Sequence, residues 1–439
     1  MYVGRGNIGC CVASGLRLPV PFLAVFLFSF CVWAAAEKER PQYVFFNVAP
    51  GNEWNQDKPE TFSRELIDDI VSKVGRGNET IRFGASFVFS TMKTPTGVLS
   101  ESVRNLLRSS QDSGVPVLIG FDGQNWWSER PDLWNWWEPD KPGYDPANAY
   151  NVEWTNWGPE YAVKICWRNW GSQLRVAPAP NIASPEVAQE HLKALRPLAA
   201  IVAEWARALP AERAWLFGGI KVGWEAGIGY NAFYYPDGNR YLEQWPADPS
   251  HDPQTGLQAD KGFPGGVAAI GFAAVATAGL ADSGEITTRQ IGIVIQRYLE
   301  QLARAAHAQG VPKNLIFTHQ GGVCPPYRKN LPFWPAVNRY SIPGWSLYYG
   351  DPADVDMLNR TIRRHFRRQW AAAEWWWGAG TTDDWLDHFQ RTLCYRNCRF
   401  VCVYNWNQNG FASDPNALAA ARRLPNKCRK KTEGASFLE

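Results

Sequence analysis

The sequence predicts an α/β chain folded as a (β/α)8 TIM barrel, with long βα loops after strands three and four. Eight apolar runs suit parallel strands buried on both faces; they start near Tyr43, Ile81, Val117, Leu216, Leu315, Trp345, Trp370 and Phe400. Apolar residues recur at helical spacing between them. The punctuation also repeats: a helix, a glycine, Val-Pro and then a buried strand occur at Gly114-Val115-Pro116 and again at Gly310-Val311-Pro312. That is the grammar of β-α units, and eight of them close a barrel. A doubly wound sheet would want a Gly-rich phosphate turn early in the chain, and none is evident.

Taken in order, residues 43–48 (YVFFNV) form the first strand. Phe62, Leu66 and Ile70 then mark a helix that Gly75 ends. After the second strand (81–90), Ser100 caps a helix carrying Val103, Leu106 and Leu107. The third strand follows at 117–121. About 90 residues then separate it from the fourth, against the usual 2–6 of a βα connection. This segment holds Trp126, Trp127, Trp134, Trp136, Trp137, Trp154, Trp157, Trp167 and Trp170, and a helix opened by Ser184-Pro185. A second long loop, rich in Pro, Gly and Asp, covers 236–264. Ile291, Ile295, Tyr298 and Leu302 mark the helix before strand five. Later helices open at Asp351-Pro352, at Thr382-Asp383-Asp384 and at Asp414-Pro415.

The chain has 439 residues, 45% hydrophobic and 20% charged, which is globular composition. A formal charge of +3 argues against an electrostatic nucleic-acid binder. Residues 1–36 read as a secretory signal peptide: Arg17, an apolar run over 18–33, then Ala34-Ala35-Ala36. A retained anchor, the alternative, would need roughly 20 apolar residues. A lipid anchor on Cys31 would need a better lipobox than Phe28-Ser29-Phe30. The expected organisation is a secreted chain, extracellular or periplasmic, with one catalytic barrel over 37–425 and a disordered basic tail over 426–439. Export permits disulfides, and Cys394, Cys398 and Cys428 are the trio in which one bridge is plausible. No metal-ligand spacing is present, so no cofactor or metal is expected.

Two stretches place a carboxylate at the end of a buried strand. In 215–236 (WLFGGIKVGWEAGIGYNAFYYP), Glu225 stands between Trp224 and a turn at Gly227 and Gly229. Tyr230, Asn231, Phe233, Tyr234 and Tyr235 follow, groups that stack on and hydrogen-bond a sugar. In 370–377 (WAAAEWWW), Glu374 follows three alanines and precedes Trp375, Trp376 and Trp377. A charge in such a place is costly unless it has a task or a partner. One such Glu alone would read as a salt-bridge partner in a loop. Two, at the ends of strands four and seven amid aromatics, favour function. Two carboxyls flanking a glycosidic bond, one protonated and one ionised, are the minimum for glycoside hydrolysis. A carbohydrate is therefore the expected partner. Asp122, Gln124 and Asn125 follow strand three where sugar hydroxyls would lie, although Asp122-Gly123 also reads as a plain turn. His319-Gln320 ends strand five at the barrel mouth. Trp126, Trp127, Trp134, Trp136 and Trp137 are expected to wall the cleft beside Glu225, while at least half of the loop tryptophans serve as packing.

With these residues the chain resembles the clan A glycoside hydrolases, the four/seven superfamily, over roughly 43–406. The resemblance rests on strand order and two positions. It implies a retaining enzyme acting on β-linked glycans, with Glu225 as acid/base and Glu374 as nucleophile. It also implies Trp406, within Tyr404-Asn405-Trp406, as the sugar-stacking tryptophan, and Tyr348 or Tyr349 as the aromatic near the nucleophile. One departure is Trp224, where the clan usually has the asparagine that contacts the sugar 2-hydroxyl. Two other readings stay open: an inverting hydrolase on the same barrel, as in β-amylase-like proteins, and an inactive barrel that binds glycans.

Overall fold

In the computed structural model the described residues are 40–49, 57–124, 127, 129–164, 166–169, 173–176, 178–228, 232–233, 270–323, 332–348, 350–365, 368–378, 380–407 and 410–426. Eight parallel strands close a barrel. In chain order they are β1 (Gln42–Asn47), β2 (Ile81–Ser90), β3 (Val117–Asp122), β6 (Phe217–Ala226), β8 (Ile316–Val323), β9 (Gly344–Tyr348), β10 (Gln369–Trp376) and β11 (Asn397–Val403). Each begins within three residues of its expected start. Inside β2, β3, β6 and β10 nearly every residue is buried, because helices cover the outside while side chains fill the inside.

The helices are α1 (Arg64–Val74), α2 (Thr96–Ser113), the single turn α3 (Pro131–Trp134), α4 (Pro185–Ala208), α5 (Phe272–Thr277), α6 (Thr288–Ala308), α7 (Asp356–Arg364), α8 (Thr382–Leu393) and α9 (Pro415–Arg423). Several ends follow their expected caps. Gly75 closes α1 at φ 81°, Ser184 accepts the Val187 amide at the start of α4, and Asp414 opens α9. Ser100 does not cap α2. The helix starts four residues earlier, and the Ser100 hydroxyl donates back to the Thr96 carbonyl at 2.7 Å.

The barrel floor is aromatic. Tyr43, Phe45, Leu118, Phe317, Ala371, Phe400 and Cys402 form one buried cluster with Ile342. Phe45 stacks on Tyr43 at 5.0 Å and meets Phe400 edge-on at 5.6 Å. Its ring takes the room left by Gly84 and Gly218, where an added Cβ would overlap it. At Gly84 the same Cβ would also strike the Pro116 carbonyl on the neighbouring strand. Gly84→Ala is therefore expected to lose about 1–3 kcal/mol from overpacking. A thermal midpoint equal to that of the unaltered protein would show that strand and ring relax at no cost.

The segment after β3 builds its own layer. Strands β4 (Cys166–Asn169), β5 (Gln173–Val176) and β7 (Ala232–Phe233) pair antiparallel in the order β5-β4-β7. A small hydrophobic core gathers Trp127, Leu133, Val152, Trp154 and Val163 of this segment with Ala273 of α5.

Cys398 is buried and unbridged; its thiol donates to the Phe400 carbonyl, and burial lifts its pKa to about 12. Cys394 and Cys398 are therefore not bridged to each other, so of the pairings open within the trio Cys394, Cys398 and Cys428 that one is not formed. Cys428, the tail and the proposed signal segment 1–36 lie outside the described residues. Among the described residues no helix is long and apolar enough to cross a membrane.

Candidate active site

Both glutamates sit where the barrel ladder is irregular. Along β6 the pairing with β8 runs Val222 to Thr318 and then Ala226 to Gln320, so four steps on one strand meet two on the other. Gly223 at φ 76° and Glu225 at φ 50° take up the difference. A bulge breaks the alternation of side chains. As a result, the adjacent Trp224 and Glu225 both reach the same cluster at the strand's C-terminal end. Along β10, Ala372 pairs with Trp345 and Glu374 with Ser346, a shift of one residue that re-aims Glu374.

The two carboxyls share one phenol. The Tyr348 hydroxyl lies 2.7 Å from Glu374 Oε1 and 3.1 Å from Glu225 Oε1. Laid end to end, those distances hold the two Oε1 atoms within about 5.8 Å of each other. The indole N–H of Trp224 donates to Glu374 Oε2. Glu374 is 3% exposed and Glu225 8%, so Glu374 is the deeper. Burial raises the Glu374 pKa above its ordinary value, opposed by the Lys221 cation and by the bonds from Tyr348 and Trp224.

β8 runs on to Val323, and His319 is fully buried beside Glu374. Its Nε2 lies 2.9 Å from Ser346 Oγ and 3.7 Å from Glu374 Oε2. Burial and the nearby Lys221 charge press its pKa far down. The imidazole is therefore neutral, and its approach to Glu374 is a polar contact rather than an ion pair.

Asp122 is also fully buried. Its Oδ1 accepts the Gln124 amide at 3.0 Å, the turn that was the alternative reading. Gly123 is required in that turn, since a Cβ there would overlap the His191 ring. Gln124 reaches across to the turn after Glu225: its amide donates to the Gly227 carbonyl and accepts the Gly227 N–H at 3.3 Å. Asn125, Trp126, Tyr230 and Tyr349 lie outside the described residues.

Trp406 does not stack on anything open. It is 1% exposed, its N–H donates to Asp69 Oδ2 on α1 at 2.8 Å, and its ring packs on Phe46 at 4.7 Å. The reason is local: Asn405 takes φ 56°, and the Trp406 amide bonds the Asn47 carbonyl at 2.7 Å, which turns the ring outward under α1. The half-buried aromatics beside the glutamates are instead Tyr348, Tyr404 and Trp376. Tyr404 meets Tyr348 edge-on at 6.3 Å and Trp376 at 6.0 Å.

The loop tryptophans hold their own segment together. Trp127, 2% exposed, donates to Pro178 O; Trp134 donates to Trp127 O, Trp136 to Val163 O, and Trp154 to Ala149 O. Trp137 packs on Trp134 and Trp136. Trp127 is thereby a packing residue of the insertion's core, whereas Trp134, Trp136 and Trp137 stay partly exposed, the first two packed against that core.

No protein-family model matches the sequence, and no curated protein matches it. Solved structures of similar fold include a glycoside hydrolase family 5 enzyme from Prevotella bryantii, at 9% identity over 89% of this chain and 97% of that one, with TM-score 0.41. A GH26 β-mannanase from Bacteroides ovatus is similar at 11% identity, over 91% of each chain, with TM-score 0.38. The catalytic domain of a β-amylase from Paenibacillus polymyxa is similar at 8% identity, over 83% of this chain and 92% of that one, with TM-score 0.40. The likeness concerns the fold and says nothing of the reaction.

Proposed function

We propose that the chain is a glycoside hydrolase that cleaves a β-linked poly- or oligosaccharide with retention of configuration. Glu374 is the nucleophile and Glu225 the acid/base. The observation that carries this reading is the Tyr348 hydroxyl set between the two carboxyls. It keeps them close enough for a retaining pair, which works at about 5–5.5 Å; an inverting pair leaves about 6.5–9.5 Å for a water.

The chemistry follows from the surroundings. A nucleophile must be ionised and held still. Glu374 has a donor on each oxygen, Tyr348 on Oε1 and Trp224 on Oε2, so its charge is stabilised and its plane fixed. The acid/base must exchange protons with leaving group and water, and Glu225 is the more exposed of the two. When Glu374 ionises, a carboxyl this close holds its proton more readily; when Glu374 is esterified by the sugar, that reason vanishes and Glu225 can take a proton from water. The two carboxyls and one water supply every proton and electron pair, so the reaction needs no cofactor. Removal of residues 1–36 on export would place the barrel where polysaccharide is met.

A panel of β-linked polysaccharides and aryl glycosides, followed by proton NMR of the first product, tests the reading. The β-anomer is expected to appear first. An α-anomer appearing first would assign inversion. Binding without any product across the panel would leave a glycan-binding barrel.

A further inference from the structure

Lys221 is the strongest unassigned feature of the interior. It lies on β6, four residues before Glu225, and is 1% exposed. Its Nζ donates to the Ala373 carbonyl at 2.9 Å and lies 3.6 Å from Cys402 Sγ. Gly120, on the adjacent β3, lies beside its side chain: a Cβ there would stand 3.5 Å from Lys221 Cε, an ordinary contact. Among the described residues no carboxylate is within contact distance of Nζ. A buried ammonium with no carboxylate in contact is expensive, and the barrel floor around it is otherwise uncharged.

The groups around Glu374 show where the charge is felt. β6 contributes Lys221, Trp224 and Glu225; β8 contributes His319; β9 contributes Ser346 and Tyr348; β11 contributes Cys402. His319 is neutral, and burial keeps the Cys402 thiol protonated by raising its pKa. Lys221 is thus the one cation in this set, and it grips the residue immediately before Glu374.

We propose that Lys221 is a positioning residue, a buried counterion that keeps Glu374 ionised and holds the β10 backbone at Ala373 in place. Because a nearby cation favours the ionised form of a carboxyl, removing it should raise the Glu374 pKa further above its ordinary value. The proposal deepens the glycosidase reading for the same site, and it is tested without relying on activity.

The experiment is a carboxyl titration by 13C NMR on the full chain labelled at glutamate, with the Glu374 resonance identified by its loss in Glu374→Gln. Lys221→Met keeps length and volume without charge, and Lys221→Gln is the second variant. In either folded variant the Glu374 midpoint should rise by about one pH unit or more, while Cys402→Ser, which touches the same Nζ but carries no charge, should leave it in place. A shift below about 0.3 pH unit in a folded Lys221 variant overturns the proposal. If neither variant folds, the unaltered protein decides: Glu374 must be ionised at pH 7, and a carboxyl still protonated there rules the role out. Any turnover should then report the same change as an acid limb moved upward in pH, with activity partly restored on the alkaline side. If titration shifts but no glycoside is cleaved, the counterion stands and the glycosidase reading falls.

Discussion

Glu374→Gln is expected to lower turnover by about 10,000-fold or more, because the amide cannot form the covalent intermediate. Glu225→Gln is expected to cost about 100- to 10,000-fold, and the cost should depend on the substrate. A polysaccharide leaving group needs a proton, whereas a dinitrophenyl group leaves almost unaided. The first step with the aryl glycoside should therefore survive in Glu225→Gln and fail in Glu374→Gln. Both variants should fold, since glutamine fills the same volume and can still bond Tyr348. Equal, small losses in both would sink the assignment. A reversed leaving-group dependence would exchange the two roles.

The barrel was legible because its strands are buried on both faces. Runs such as VLIGFD and WAAAEWW have no polar alternation to hide them, and the Gly-Val-Pro junctions mark where helices end. The glutamates were legible for the same reason, as charges at the ends of apolar runs. The start of α2 was less legible: Pro95 and Thr96 open it, while Ser100, a good cap by composition, is spent on an internal bond.

The environment of the glutamates could not be read from the sequence. A regular strand alternates its faces, so Trp224 and Glu225 should point opposite ways; only the bulge at Gly223 sends both to one cluster. The reverse happened at Trp406, which the resemblance put at the opening. The left-handed turn at Asn405 and the bond to Asp69 bury it. Lys221 looked like an interruption in a strand, and nothing in the one-dimensional pattern says that its tip meets Ala373. The loop tryptophans show the same limit. An indole that stacks on sugar and one that donates to a carbonyl of its own loop have the same letter.

Glu153 should dominate the pH dependence of stability. It lies in the insertion, 1% exposed, with its carboxyl facing the backbone amides of Gly271, Ala273 and Ala274 where α5 begins, at geometry looser than a normal hydrogen bond. Burial lifts its pKa from 4.5 to about 8. Below pH 4.5 the group is protonated folded or unfolded and costs nothing. Between 4.5 and 8 the unfolded chain ionises while the folded one keeps its proton, so stability falls as pH rises. Above 8 the loss is complete, at most about 5 kcal/mol and smaller if water reaches the carboxyl. Glu153→Gln cannot ionise. Its melting temperature should match that of the unaltered protein near pH 4.5 and exceed it by a few degrees at pH 9. Amide exchange at Ala273 and Ala274, compared at equal pH, should be slower in the variant on the alkaline side, since charging Glu153 loosens the start of α5. A melting difference that stays the same from pH 5 to pH 9 would mean that the carboxyl is already ionised in the folded chain and satisfied by those amides.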